Sequence, residues 1–202
     1  MRAFFVIFAL ALTLSATATR AAEPPDAVVA TMTQQVLAET SKDAGSGQDD
    51  VSSLKALIAS SVMPHLDFRA MTARAVGPKW REASEAQKEQ LMAGFETLLI
   101  RTYAGAFSQA KGASFRIRST RAVDGTTTEV RSEVQAAGAR EPVAISYRME
   151  LRNEHWKVTD VSVAGIWLVP NYHGQFAPIA NQSGIDGLIR SLAEKTSVAQ
   201  QR

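Results

Sequence analysis

The 202-residue chain has no cysteine and carries 22 Lys+Arg against 20 Asp+Glu. Without thiols there is no disulfide framework, no thiolate zinc site and no cysteine-borne lipid anchor. The sequence pI near 9.0 points toward phosphate polymers, but Arg2 and Arg20 lie in an apparent leader, and the remainder balances, which removes any global attraction for nucleic acid.

The opening stretch "MRAFFVIFALALTLSATATRAAEPP" places Arg2 before an apolar run at 3–12, with small residues offering cleavage after Ala18 or Ala21. This pattern predicts a secretory signal peptide at 1–21 and a single exported domain at 22–202. The run is shorter than the ~20 residues that span a bilayer. Charge along the mature chain is uneven: residues 23–67 carry seven acidic and two basic side chains, 69–121 ten basic and four acidic.

Val29, Met32 and Val36 recur at helical spacing, as do Val51, Leu54, Ile58 and Val62 until Pro64. "DFRAMTARAVG" predicts a short helix with Asp67 as N-cap and Gly77 as exit. Ser84 and Gln87 then match a capping box. The helix behind it, some 25 residues long, carries Leu91, Phe95, Leu98, Leu99, Tyr103 and Phe107 on an apolar stripe.

After Gly112 the period changes to two. Phe115 and Ile117 alternate with arginines, and Thr128, Val130 and Val134 keep one parity. Val143, Ile145, Tyr147, Met149 and Leu151 form a third strand. In "HWKVTDVSVAG" the apolar parity slips near Thr159-Asp160, which predicts a β-bulge. Ile185, Leu188, Ile189 and Leu192 close the chain on a helix starting near Ser183. The expected fold class is α+β: an antiparallel sheet of about four strands, curved, with helices over one face. Such a fold encloses an apolar cavity if the sheet curls.

Catalytic patterns are missing. His65, His155 and His173 lie far apart and form no metal or triad spacing, and there is no nucleophile elbow, metalloprotease helix, phosphate loop or dinucleotide fingerprint. No catalytic residue, metal or cofactor is expected. What remains is an excess of large apolar side chains, notably Ile166-Trp167-Leu168-Val169 where a strand is ending. They fill an ordinary core or line a cavity for an apolar ligand, and periodicity does not separate the two.

"VMPHLDFRAMTARAVGPKWREASEAQKEQLMAGFETLLIRTYAGAF" resembles the Asp-Phe, Met, Gly and Trp segment and Ser-capped helix of MlaC-type periplasmic phospholipid-binding proteins. These are also called the toluene-tolerance auxiliary family. Trp156-Lys157-Val158, Asp160-Val161, Gly165, Leu168-Val169, Asn171-Tyr172, Gln175-Phe176 and the run 184–189 follow the family's order, so the resemblance covers about 26–196. Pro178 departs from the pattern and is expected to break or kink a helix. Trp167 stands where a small polar residue is expected and could narrow an entrance.

The resemblance implies a cystatin-like or NTF2-like cavity fold holding a phospholipid, its acyl chains between sheet and helices. It implies a lipid shuttle in the Gram-negative periplasm, exchanging with an outer-membrane lipoprotein complex and an inner-membrane ABC transporter with a substrate-binding ring. By implication this maintains outer-membrane asymmetry. The side chains expected against lipid are Phe95, Leu98 and Leu99 on the long helix, and Val143, Ile145, Tyr147, Met149, Val161 and Val163 on the sheet. Ile166, Leu168 and Val169 are expected at the mouth, Tyr172 with its ring against the tails and its hydroxyl near the headgroup, and Phe176 against lipid. Arg69, Arg74, Lys79, Arg81 and Lys88 are expected to dock partners. Other readings are a carrier of another membrane lipid such as a hopanoid, a lipid-independent adaptor of the transporter, and an enzyme in the same kind of cavity. The enzyme needs titratable groups inside.

Overall fold

The computed structural model describes residues 22–42, 51–110 and 112–198; the expected signal peptide lies outside them. Among the described residues no helix is long and apolar enough to cross a membrane. Four helices come first: α1 (Pro25–Lys42), α2 (Val51–Ser61), α3 (Phe68–Val76) and α4 (Glu85–Gln109). Five strands follow, β1 (Ser114–Ala122), β2 (Thr127–Gln135), β3 (Val143–Arg152), β4 (His155–Val163) and β5 (Ile166–Trp167), and then α5 (Leu168–Val198). The expected α+β class is the observed one, with a two-residue fifth strand added.

Local chemistry sets the helix boundaries. The Asp67 carboxylate accepts the Ala70 N–H at 3.0 Å and starts α3. Ser84 accepts from the Gln87 backbone while the Gln87 side chain accepts from the Ser84 N–H at 2.9 Å, closing the capping box of α4. Gly77 ends α3 at φ 81°, a region that favours glycine, and a Cβ there would lie 2.7 Å from Cε1 of His173. The α3–α5 junction is therefore fitted around a missing side chain.

The C-terminal element α5 is two helices joined at Gly184 (φ 68°, ψ −176°): the second begins beside Ser183, where the last helix is expected, and a first one from Leu168 precedes it, unbroken at Pro178 although a break or kink is expected there. Proline removes the bond to the carbonyl four residues back. That residue here is Gly174, which is exposed, so the freed carbonyl is not stranded in the core. Gly184 takes a conformation that other residues rarely adopt and lets the final segment turn while its apolar stripe stays buried.

The strands pair antiparallel in the order β1-β2-β3-β4-β5. The expected bulge is present: Arg148 pairs with Asp160 and Met149 with Val158, leaving Thr159 as the extra residue. It moves Val161 and Val163 onto the same face as Trp156 and Val158. The other face is charged, with Arg118–Glu133 at 2.9 Å and Arg131–Glu129 at 2.6 Å. Trp167 pairs with Ser162 and so belongs to this outer face, where the Arg148 guanidinium sits 4.5 Å from its ring centroid. Alternation along β5 thus turns Trp167 away from the side where it was expected to narrow an entrance.

Two buried clusters hold the domain. Phe68, Met71, Phe95, Tyr172, Phe176 and Leu188 join α3, α4 and α5. Within that cluster the Phe95 ring meets Tyr172 and Phe176 edge-on, at 4.9 and 5.2 Å between centroids. Val28, Val29, Met32, Val130, Tyr147, Met149 and Val158 seal α1 onto the sheet. Leu66 and Val161 pack against both clusters, and a space remains between them.

Candidate functional site

That space is a cavity of about 390 Å³, bounded by α1, α2, α3, α4 and the inner face of β2, β3 and β4. Geometry on α4 explains how one helix serves both the core and the cavity. At about 100° per residue, Leu91, Phe95 and Leu98 fall on one side, and Leu99, Tyr103, Ala106, Phe107 and Ala110 fall on a neighbouring side. The first set packs in the α5 cluster and the second lines the cavity, with Leu99 and Tyr103 also touching that cluster. A stripe wider than one contact face is the local signature of a helix shared between two environments.

The cavity has a buried end and an exposed end. Met32, Val36, Phe68, Met71, Tyr147 and Leu168 are buried, whereas Ala106, Ala139, Glu141 and Val143 line it and are exposed. The exposed end thus lies between the C-terminal half of α4 and the connection from β2 to β3. Its lining is mostly aliphatic and aromatic. Tyr147 is buried, which pushes its phenol pKa up, against opposing hydrogen bonds with Thr33 and Ser132. Tyr103 is pushed the same way by burial and by its neighbour Tyr172. Glu96 and Glu141 are the lining carboxyl groups. Among the described residues no group of His, Cys, Asp or Glu could hold a metal ion.

The residues expected against lipid divide into three groups. Leu99, Val143, Ile145, Tyr147, Val161, Val163 and Leu168 line the cavity together. Phe95, Val169, Tyr172 and Phe176 are buried in the α3–α4–α5 cluster, with Leu98 packed against it, and Met149 is buried between α1 and the sheet. Ile166 pairs with Val163, so it shares the inner face with a lining residue, but it is 58% exposed. The sequence reading left out the walls from α1, α2 and α3, including Met32, Val36, Ile58, Phe68 and Met71. Some of these were visible as helical stripes, but a stripe does not say whether it meets side chains or empty space.

The five cations expected to dock partners gather on α3, the 3-10 turn Pro78–Glu82 and the start of α4. Arg69 and Lys88 share Glu85, at 2.7 and 2.9 Å, and flank Trp80 at 5.5 and 5.8 Å from its ring. Lys79 pairs with Glu82 at 2.8 Å and Arg74 with Glu150 at 2.6 Å. Arg81 is exposed and makes no ion pair among the described residues.

This arrangement has known counterparts. A solved phospholipid-binding protein from Ralstonia solanacearum, determined in complex with a phospholipid, matches with a TM-score of 0.82 and 34% sequence identity. The match covers 88% of this chain and 99% of that one. An intermembrane phospholipid transport system binding protein, MlaC, from Haemophilus influenzae is 22% identical over 153 residues, 74% of this chain and 72% of the relative. The family model described as MlaC protein matches residues 30–194. On a match that spans most of its length, the chain belongs to the MlaC protein family.

Proposed function

We propose that this chain is a periplasmic carrier that holds a phospholipid in the cavity between sheet and helices and moves it between two membranes. The observation that carries the reading is the apolar cavity itself, closed by Met32, Phe68 and Met71 at one end and open beside Val143 at the other. The solved relative at 34% identity, in complex with a phospholipid, supports it.

The physics asks for such a container. Two acyl chains hold roughly 30 methylenes at about 0.8 kcal/mol each, so exposing them to water costs on the order of 25 kcal/mol. A dry cavity replaces bilayer contacts with protein contacts and brings the transfer close to neutral. Direction is then left to the partners. No bond is made or broken, so the carrier needs neither a nucleophile nor a cofactor, and in this reading it is not an enzyme.

In this reading Leu99, Ile145, Val161, Val163 and Leu168 contact acyl chains, and the mouth lies at Val143. The leader at 1–21 exports the chain, and the partners are an outer-membrane lipoprotein complex and an inner-membrane ABC transporter. The test is lipid extraction and native mass spectrometry of protein purified without detergent. Near one diacyl phospholipid per chain is expected. Lipid-free protein from every gentle preparation points to an adaptor, and a hopanoid in place of phospholipid points to a different cargo.

A further inference from the structure

Glu96 is out of place on α4. It begins the stripe that faces the cavity, one turn before Leu99 and Ile100, and it lines the cavity wall. The side chain is half-buried, and among the described residues it makes no ion pair or hydrogen bond. Helix packing does not require a carboxyl group there, since the positions around it on this face are apolar.

Its position along the helix is informative. The exposed end of the cavity is at Ala106 and Ala110, and Glu96 stands about 21 Å from Ala110 along the axis at ~1.5 Å per residue. It is the first residue of α4 to line the cavity, and it therefore sits at the inner end, far from the mouth. A half-buried carboxyl group keeps water near it. Hydrocarbon pushed past it would strip that water with no partner to replace it, which is unfavourable.

We propose that Glu96 sets the inner limit of hydrocarbon in the cavity and so selects acyl chains by length. The inference rests on the carrier reading above. Chains that end before Glu96 leave it hydrated. Longer chains either press against it or leave the methylenes nearest the headgroup in water at the mouth, each losing its burial.

The test loads full-length protein from vesicles holding equal amounts of dimyristoyl, dipalmitoyl, distearoyl and diarachidoyl phosphatidylethanolamine, with bound species read by mass spectrometry. Glu96→Leu is expected to raise the diarachidoyl to dipalmitoyl ratio by at least about fivefold. Glu96→Gln, still polar, should stay near the native profile. Leu99→Glu moves the polar limit one turn toward the mouth and should shift the profile to shorter chains; it also serves if Glu96→Leu does not fold. An unchanged length profile in both Glu96→Leu and Leu99→Glu overturns the proposal. So does a change in preference between dipalmitoyl phosphatidylethanolamine and dipalmitoyl phosphatidylglycerol without a change in length, which would put the headgroup beside Glu96. Native protein that takes up none of the lipids overturns the carrier reading instead, which is a separate outcome.

Discussion

The carboxylate of Asp160 accepts the backbone N–H of Val169 at 3.0 Å, fastening strand β4 to the first turn of α5. The same oxygen accepts the Val161 N–H at 2.9 Å. The first N–H groups of a helix have no intrahelical partner, and here one is satisfied by a residue nine positions upstream. The bulge at Thr159 makes this possible, because it sets the parity that turns Asp160 away from the cavity while Val161 faces it.

Asp160 is 2% exposed, and burial pushes its pKa above the usual aspartate value, opposed by the two N–H donors and by Arg148. A raised folded-state pKa means that the group favours the fold most when protonated, below its unfolded pKa. That contribution is lost as pH rises through the folded pKa. Asp160→Asn keeps an oxygen for both donors and removes the buried charge; the second carboxylate oxygen meets Arg148 only at 3.8 Å. The expected result is a melting temperature at or above the native one at neutral pH, with the difference fading toward about pH 3.5. Asp160→Ala strands the buried Val169 N–H and should cost about 1–3 kcal/mol. Thermal unfolding across pH checks both, and an Asn variant as damaged as the Ala variant would show that the charge itself is required.

Gly77 supports a second prediction. Gly77→Ala forces a side chain into φ 81° and against the His173 ring, and should destabilise by roughly 1–3 kcal/mol. Adding His173→Ala relieves the contact but not the backbone, so the double variant should recover only part of the loss. Full recovery in denaturant titrations would mean that the backbone strain is negligible.

Much of the fold was readable because its signals are local. Ser84 and Gln87 announce the start of α4, and the slip from Val158 to Val161 announces the bulge. The cavity was only half readable. Phe95 and Leu99 sit on the same apolar helix and look alike in sequence, yet one is packed among α5 aromatics and the other faces open space. That difference depends on how far apart two layers are held, which no single stripe encodes. Tyr172 and Phe176 are expected against lipid because they follow the apolar end of the sheet. A helix that starts at Leu168, ahead of the one that follows Gly184, draws both rings into the core.

Docking yields a third prediction. Arg69 already neutralises Glu85, whereas Arg81 has no ion pair among the described residues. Exposed pairs are worth little, about 0–1 kcal/mol, so both cations can be offered to an acidic partner. Arg69→Glu with Arg81→Glu should weaken partner binding, more so at low salt than at high salt, and leave bound lipid unchanged. Arg81→Glu alone should account for most of the loss. Binding of both partners that is unaltered at low salt would remove this surface from the docking site.

The mouth gives the last prediction, and Val163 and Ile166 separate it into two parts. They pair across β4 and β5 on the same sheet face, but Val163 lines the cavity and is half-buried, whereas Ile166 is 58% exposed. A glutamate at 163 must lie against acyl chains or draw water into the cavity, which costs the loaded state several kcal/mol. The empty state can hydrate the same group through the open end. Val163→Glu should therefore lose most co-purifying phospholipid while its unfolding midpoint falls modestly. Ile166→Glu already faces water in the native arrangement, so its midpoint should be unchanged. Its lipid content then decides whether Ile166 touches cargo. Retained lipid assigns the residue to the outer rim, and lost lipid places the chains farther out than the cavity wall extends. Lipid extraction and thermal unfolding on the same preparations read both quantities. Full lipid in Val163→Glu would mean that the chains do not pass this strand end at all, and the entry would have to be sought on the helical side, between α2 and α4.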